Sequence, residues 1–294
     1  MSGLHVRRRL SLFDLTLYGV MFLLIVITLY PLYYVTINSL SDSRHVLSQS
    51  VNLYPRGFTL ASYRVVLADP AMLRAYANTI LYTLVGTLLN IVLTAMCAYP
   101  LSIPGFFGRK QFTMLIVFTM LFNGGIIPRY LVVRALGMID TLWAIVLPVA
   151  ILTWYMFIMR TYFRGIPDAL RESAFIDGAN DVHILFRVIL PLSAPVIGAL
   201  TVFYTVFHWN SFFNALIYLN SAERYPLQIL LRNVTIEDQM SGYVADFFDE
   251  SDFAVAEQTI KYTVIMVSTL PILTIYPFMQ KHFAKGVTIG AVKG

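Results

Sequence analysis

The sequence predicts an all-helical membrane protein with six transmembrane helices and both ends in the cytoplasm, and three observations predict it. Of its 294 residues, 58% are hydrophobic and 13% charged, about half the roughly 25% charge usual in soluble domains. Six stretches contain no Asp, Glu, Lys or Arg: 15–41, 75–108, 111–128, 141–159, 188–222 and 262–280. Finally, the basic residues are distributed unevenly between the segments that separate these stretches. The composition excludes a disordered chain and argues against a soluble enzyme. One cysteine, Cys97, leaves no internal disulfide framework and no multi-cysteine metal site.

A bilayer core about 30 Å thick needs roughly 20 mostly apolar helical residues. Each uncharged stretch therefore holds one helix, and the two longest are too short for a comfortable pair. The expected spans are 15–38, 76–104, 111–130, 141–161, 188–218 and 260–281, within a single transmembrane domain over 1–294. The first follows Arg7, Arg8 and Arg9, as a signal peptide would. Its apolar run exceeds the 7–15 residues of such a segment and passes through Tyr30, Pro31 and Tyr34 without a small-residue cleavage site. It is expected to be retained.

With the N-terminus inside, the cytoplasmic segments 1–14, 104–110, 160–187 and 281–294 carry 12 of the 21 Lys and Arg but 5 of the 16 acids. Positive charge collects on the cytoplasmic side of membrane proteins, so this orientation is the expected one. The basic balance then reports topology rather than nucleic-acid binding, with a peripheral patch for anionic lipid as an additional role. The outer segments are 42–74, 129–140 and 223–261. The last holds Asp246, Asp249, Glu250, Asp252 and Glu257, either a solvated loop face or a docking surface for an external partner.

The longest cytoplasmic segment, with its loop at 162–187, carries the most specific pattern. Pro167 suits the first turn of a helix, and Asp168 beside it complements the positive end of the helix dipole. Leu170, Ala174 and Gly178 fall on one face, and Gly178 can end the helix in the left-handed conformation. Asn180 or Asp181 can cap a second short helix leading to Arg187 and the fifth span. A bent helix pair lying under the membrane is predicted. Small residues on such a face admit another body, and Glu172 can reach a cation on it; a plain interfacial amphipathic turn fits the composition equally.

Glu172-Ser173-Ala174, three residues, Gly178, nine residues and then Val188-Ile189-Leu190-Pro191 resembles the signature of permease subunits of bacterial ABC importers. That signature reads Glu-Ala-Ala, three residues, Gly, nine residues, Ile, any residue, Leu-Pro. Ser173 and Val188 depart from it by small or apolar exchanges. Across nearly the whole chain the sequence is similar to the carbohydrate-uptake branch that includes the smaller permease of the maltose transporter. It is most similar there to aldouronate, polygalacturonate and alginate permeases. Asn123 to Pro128, His208 to Asn214, Tyr225 to Gln228, Lys285-Gly286 and Gly290 to Gly294 carry this closer likeness.

The resemblance implies a multi-pass subunit of the bacterial inner membrane that pairs with a homologous second permease. It implies two cytoplasmic ATPase subunits, each accepting such a loop, and an extracytoplasmic solute-binding protein delivering an oligosaccharide. Glu172, Ser173, Ala174, Gly178, Leu190 and Pro191 would then couple to the ATPase, and Lys293 and Gly294 would reach it from the C-terminal tail. No catalytic residue or cofactor is expected in this chain; ATP and Mg would be held by the partners. The sequence agrees, because no Gly-x-x-x-x-Gly-Lys-Ser/Thr phosphate loop occurs in it.

For the substrate path the candidates are His208, Trp209, Asn210, Asn214 and Asn123. Ionisable side chains at membrane depth are costly and usually functional, and His208 is the one histidine within the spans. Aromatic faces with amides suit a saccharide; helix packing through the same amides is the competing reading. Arg74, Arg129, Arg134 and Arg232 sit near the outer span ends, either as partners for an acidic sugar or as interfacial anchors. The five histidines show no metal-like spacing. Three functions stand side by side: an ABC permease for an acidic or a neutral oligosaccharide, a self-sufficient ion-coupled carrier, and a membrane enzyme. The carrier reading lacks intramembrane Asp or Glu in the six uncharged stretches.

Overall fold

The computed structural model describes residues 11–236 and 257–274, and every regular element among them is helical. Helix α1 (Leu12–Ser39) starts at Ser11, whose hydroxyl accepts from the Phe13 amide while the Asp14 carboxylate accepts from the Ser11 amide at 2.9 Å. This reciprocal cap satisfies two otherwise unpaired donors. From Leu12 to Tyr30 nearly every side chain is exposed, so the helix is apolar all round, as a lipid- or partner-covered helix must be. Only its last turn, Ile37 to Ser39, is buried. There it meets α2 (Ser43–Leu47), α3 (Ala61–Ala68) and the helix at 257–274. Ile37, Val46 and Val51 form a small core with Tyr262, and the Ser39 hydroxyl bonds Tyr63 at 2.8 Å. The described residues up to Ala68, with 257–267, make one compact unit.

The second unit, Asp69 to 236 with 268–274, is built on α4 (Pro70–Ser102). Asp69 caps it by accepting from the Ala71 amide at 2.8 Å, and Pro70 occupies the first turn, where its missing donor is harmless. At 1.5 Å per residue the 33 residues span about 50 Å. Along its buried side runs a row of small or polar residues at every third or fourth position: Thr79, Thr83, Gly86, Asn90, Thr94 and Ala98. Lipid offers no hydrophobic drive for helix association, so small residues that permit close backbone approach do this work. A Cβ on Gly86 would lie 2.5 Å from the His208 ring. Against this side pack α8 (Thr153–Arg164) and α12 (Ala194–Trp209), sharing a core of Ala98, Met156, Met159, Leu200 and Tyr204.

Three expected spans are broken. The 111–130 stretch, expected as one helix, is α5 (Arg109–Leu121) and α6 (Ile126–Ala135), bent by 116°. The bend is Phe122-Asn123-Gly124-Gly125, where Gly125 has φ +84° and ψ −177°, a conformation essentially closed to other residues. The 141–161 stretch is α7 (Leu142–Val146), a 3₁₀ turn through Val149, and α8, bent by 53°. Pro148 lies in that turn and has no amide hydrogen to continue the ladder. The 188–218 stretch bends by 85° at Ser193, between Pro191 and Pro195, and stops again after Trp209 before α13 (Phe213–Tyr218). Hydropathy measures apolar length and is blind to direction, so these bends lay outside its reach. Among the described residues, two unbroken helices, α1 and α4, are long and apolar enough to cross a membrane, and counting each bent pair as one span gives up to five. Of the 260–281 stretch, residues through 274 are helical and the rest lie outside the described residues.

Candidate functional site

The loop after α8 folds as a bent helix pair. Helix α9 (Asp168–Ile176) follows Pro167, which takes the cap position. Gly178 has φ +82°, and the amides of Gly178 and Ala179 return to the carbonyls of Phe175 and Ala174 at 3.0 Å each. These bonds close the helix through a left-handed residue. Asn180 caps α10 (Asp181–Ile184) by accepting from the His183 amide at 2.8 Å. The chain continues through a π turn, Leu185–Ile189, into α11 (Leu190–Leu192), which contains Pro191.

The pair has two sides. Ile184, Leu185 and Ile189 are buried in the core shared with Leu200 and Tyr204 of α12, and Ala174, Ala179 and Leu190 pack on it half-buried. The Tyr99 hydroxyl of α4 ties in Asp181 at 3.3 Å. Outward face Glu172, Ser173, Phe175, Ile176, Val182 and Phe186, a carboxylate and hydroxyl among apolar groups, with Ile176 86% exposed. Gly178 is exposed, with nothing within 4 Å of where its Cβ would stand.

The other feature is a cavity of about 1290 Å³ between α5, α6, α8, α12 and α13. Asn210, Ser211 and Asn214 supply its amides and hydroxyl, Tyr155 and Phe203 its aromatic faces, and Arg129 a guanidinium. The Tyr155 and Phe203 rings stack at 5.5 Å. The cavity exists because α12 ends at Trp209. Asn210 folds its Nδ2 back onto the Val206 carbonyl at 2.9 Å, and the chain re-enters as α13.

His208, Trp209 and Asn123 are placed elsewhere. His208 is 3% exposed, and its Nε2 lies 2.5 Å from Asn90 Oδ1. Asn90 in turn donates to the Val149 and Ala150 carbonyls at 2.6 and 2.8 Å, which the break before α8 leaves without helical partners. Trp209 is buried, donating to the Ser268 carbonyl at 3.3 Å and meeting Tyr76 edge-on. Asn123 accepts from the Gly125 amide at 3.1 Å in the α5–α6 bend. Lys293, Gly294 and Asp246 to Asp252 lie outside the described residues.

One clasp was not expected from the sequence. Asp140, at φ +58°, accepts from the Ser221 hydroxyl at 2.6 Å and from the Ser221 and Asn220 amides at 3.1 and 3.0 Å, with Arg224 3.3 Å away. The Ser221 hydroxyl and amide, then Asn220 and Arg224, hold its carboxyl below the usual carboxylate range. Helix α4 grips the adjoining strand of chain: Asn78 donates to the Glu223 carbonyl at 2.8 Å, Tyr82 to Arg224 at 2.8 Å, and Leu227 donates to Thr79 at 2.8 Å. Sequence spacing could not reveal it, since Asp140 and Ser221 are far apart along the chain.

Residues 70–289 match the family described as binding-protein-dependent transport system inner membrane component. The chain belongs to that family. It is a permease of the inner membrane, a component of an ABC importer. The permease is 40% identical over 284 residues to the polygalacturonan/rhamnogalacturonan transport system permease protein YtcP of Bacillus subtilis (strain 168), covering 96% of this chain and 99% of that one. It is 42% identical over 268 residues to protein LplC of the same organism, covering 91% and 90%. In structure it is similar to a chain of a bacterial ABC transporter involved in the import of the acidic polysaccharide alginate. There the TM-score is 0.83 and the identity 32%, over 92% of this permease and 96% of that chain.

Proposed function

We propose that this permease forms, with a homologous second permease, the pathway for an acidic oligosaccharide of the uronate type. The cavity carries the substrate class. Amides and a hydroxyl at Asn210, Ser211 and Asn214 suit sugar hydroxyls, the Tyr155 and Phe203 rings suit the apolar faces of pyranose rings, and Arg129 suits a carboxylate. The relatives named for polygalacturonan/rhamnogalacturonan and for alginate support the same class. The chain crosses the membrane six times with both termini in the cytoplasm, each bent pair serving as one span and the helix at 257–274 as the last.

Energy enters from below. Two ATPase subunits hold ATP and Mg, and each permease seats one of them on its bent pair, here through Glu172 and Ser173 beside Phe175 and Ile176. Since Ile184, Leu185 and Ile189 share a core with Leu200 and Tyr204, displacement of the pair moves α12, whose end borders the cavity. Coupling of this kind requires partner contacts of different free energy in the inward- and outward-facing states. A binding protein delivers substrate from outside.

The test is reconstitution of the four-subunit complex in vesicles. Oligogalacturonate or oligoalginate presented on the binding protein should stimulate ATP hydrolysis and be taken up only with ATP inside the ATPase-facing compartment. Uptake driven by a proton or sodium gradient without nucleotide would establish the carrier reading instead; stimulation by neutral oligosaccharides alone would remove the uronate assignment.

A further inference from the structure

A second groove, of about 620 Å³, lies between the start of α5 and the end of α8, lined by Arg109, Lys110, Thr113, Met114, Val117 and Arg160. Three cations meet there, and among the described residues none of them is paired with a carboxylate. Arg160 is fixed by its own bonding, with Nε donating to the Leu101 carbonyl at 2.9 Å and its guanidinium over the Phe157 ring at 5.8 Å. Arg109 reaches the Pro104 carbonyl only at 3.5 Å. Arg109 and Lys110 also occupy the first turn of α5, where cations oppose the helix dipole. On the same wall the Thr113 hydroxyl is buried with no hydrogen-bond partner. Like charges held together against a helix N-terminus, beside an unused donor, are stable as a set when an anion sits among them.

The surroundings say which anion. Above the cations, α5 presents Met114, Leu115, Phe118 and Leu121 outward, the last 84% exposed. At 1.5 Å per residue its 13 residues rise about 20 Å, comparable to one acyl layer. A free phosphate or a partner's carboxylate would use the cations and leave this face idle; an anionic phospholipid uses both. We propose that this groove binds an anionic phospholipid, its phosphate among Arg109, Lys110 and Arg160 and its acyl chains along α5. The site faces the cytoplasmic leaflet in the orientation proposed above and does not depend on which sugar is carried. Basic grooves between helices on that side are suited to such headgroups.

The experiment compares retention of phosphatidylglycerol and phosphatidylcholine by the purified importer complex, by native mass spectrometry during stepwise delipidation. The wild type should hold phosphatidylglycerol preferentially. Arg109→Gln with Lys110→Gln should weaken that preference about 30-fold, from the contribution of two cations near an anionic surface, while Arg109→Lys with Lys110→Arg keeps it. Intact subunit stoichiometry in the same spectra controls for assembly. The proposal is overturned if the Gln variant keeps the preference, if millimolar inorganic phosphate displaces the lipid by occupying the cations alone, or if the variant sheds ATPase subunits with lipid retention unchanged, which would make the groove a protein contact. Because the readout is lipid retention, its failure leaves the transport assignment intact, and loss of the uronate assignment leaves this one intact.

Discussion

At the residue scale, Asn90 and Gly86 define the surroundings of His208. A carboxamide has two donor positions and an acceptor; in Asn90 the donors serve two backbone carbonyls and the acceptor serves His208. Asn90→Leu keeps the volume and removes all three bonds, leaving buried groups unpaired at about 1–3 kcal/mol each. It should lower the melting temperature of the solubilised complex, and an unchanged value would mean that the carbonyls find other donors. Gly86→Ala should destabilise by about 1–3 kcal/mol through overpacking on the imidazole; His208→Ala in the same chain should recover part of that loss if the clash is its cause. The sequence showed a histidine and several asparagines at membrane depth, but residue type alone does not say whether an amide faces a helix or a cavity. Asp140 gives a separate test. Its folded carboxyl is more acidic than the unfolded one, so its stabilisation is complete above the usual carboxylate value near 3.9 and disappears as pH falls through the lower folded value. Asp140→Asn should flatten the acid limb of the stability profile while leaving the neutral region's slope alone.

At the element scale, the breaks in the helices matter more than the helices. Apolar length was legible in the uncharged stretches, and the punctuation was present as Asn123-Gly124-Gly125, Pro148 and Pro191 with Pro195. What could not be read was the angle, because it depends on which side chains satisfy the freed backbone: Asn90 at the α7–α8 break, Asn123 at the α5–α6 bend. The bent pair at α9 and α10 was legible almost entirely, since its signals are local: Pro167, a left-handed Gly178 and a capping Asn180. That locality makes it testable. With no neighbour within 4 Å of a Cβ at Gly178, substitution acts through the backbone alone, at about 1–2 kcal/mol for an alanine held left-handed. Gly178→Ala should reduce substrate-stimulated ATP hydrolysis about fivefold or more with the subunits still co-purifying. Gly178→Asn, which tolerates this conformation better, should lie nearer the wild type. Equal activity of all three would show that the ATPase does not sense this turn.

At the scale of the whole molecule, the charge distribution expected to orient the chain and the charge that would select its substrate are separate things. The twelve basic residues of the segments expected in the cytoplasm were countable from the sequence. The cation facing the cavity was not, because Arg129 stood beside Arg74, Arg134 and Arg232 as one of four residues near outer span ends. The 116° turn between α5 and α6 decides among them: it carries Arg129 to the wall shared with Asn210 and Asn214. A charge-assisted bond in a partly dehydrated cavity contributes about 1.5–3 kcal/mol. Arg129→Gln should therefore lower uptake of a uronate oligosaccharide about tenfold at a fixed concentration of loaded binding protein, and leave uptake of its carboxyl-reduced analogue unchanged. Arg129→Lys should fall between, keeping the charge without the planar fork that engages both carboxylate oxygens. An equal drop for the acidic and the reduced sugar would assign Arg129 to the packing of α6, and the selection of acidic substrate would then belong to the second permease or to the binding protein.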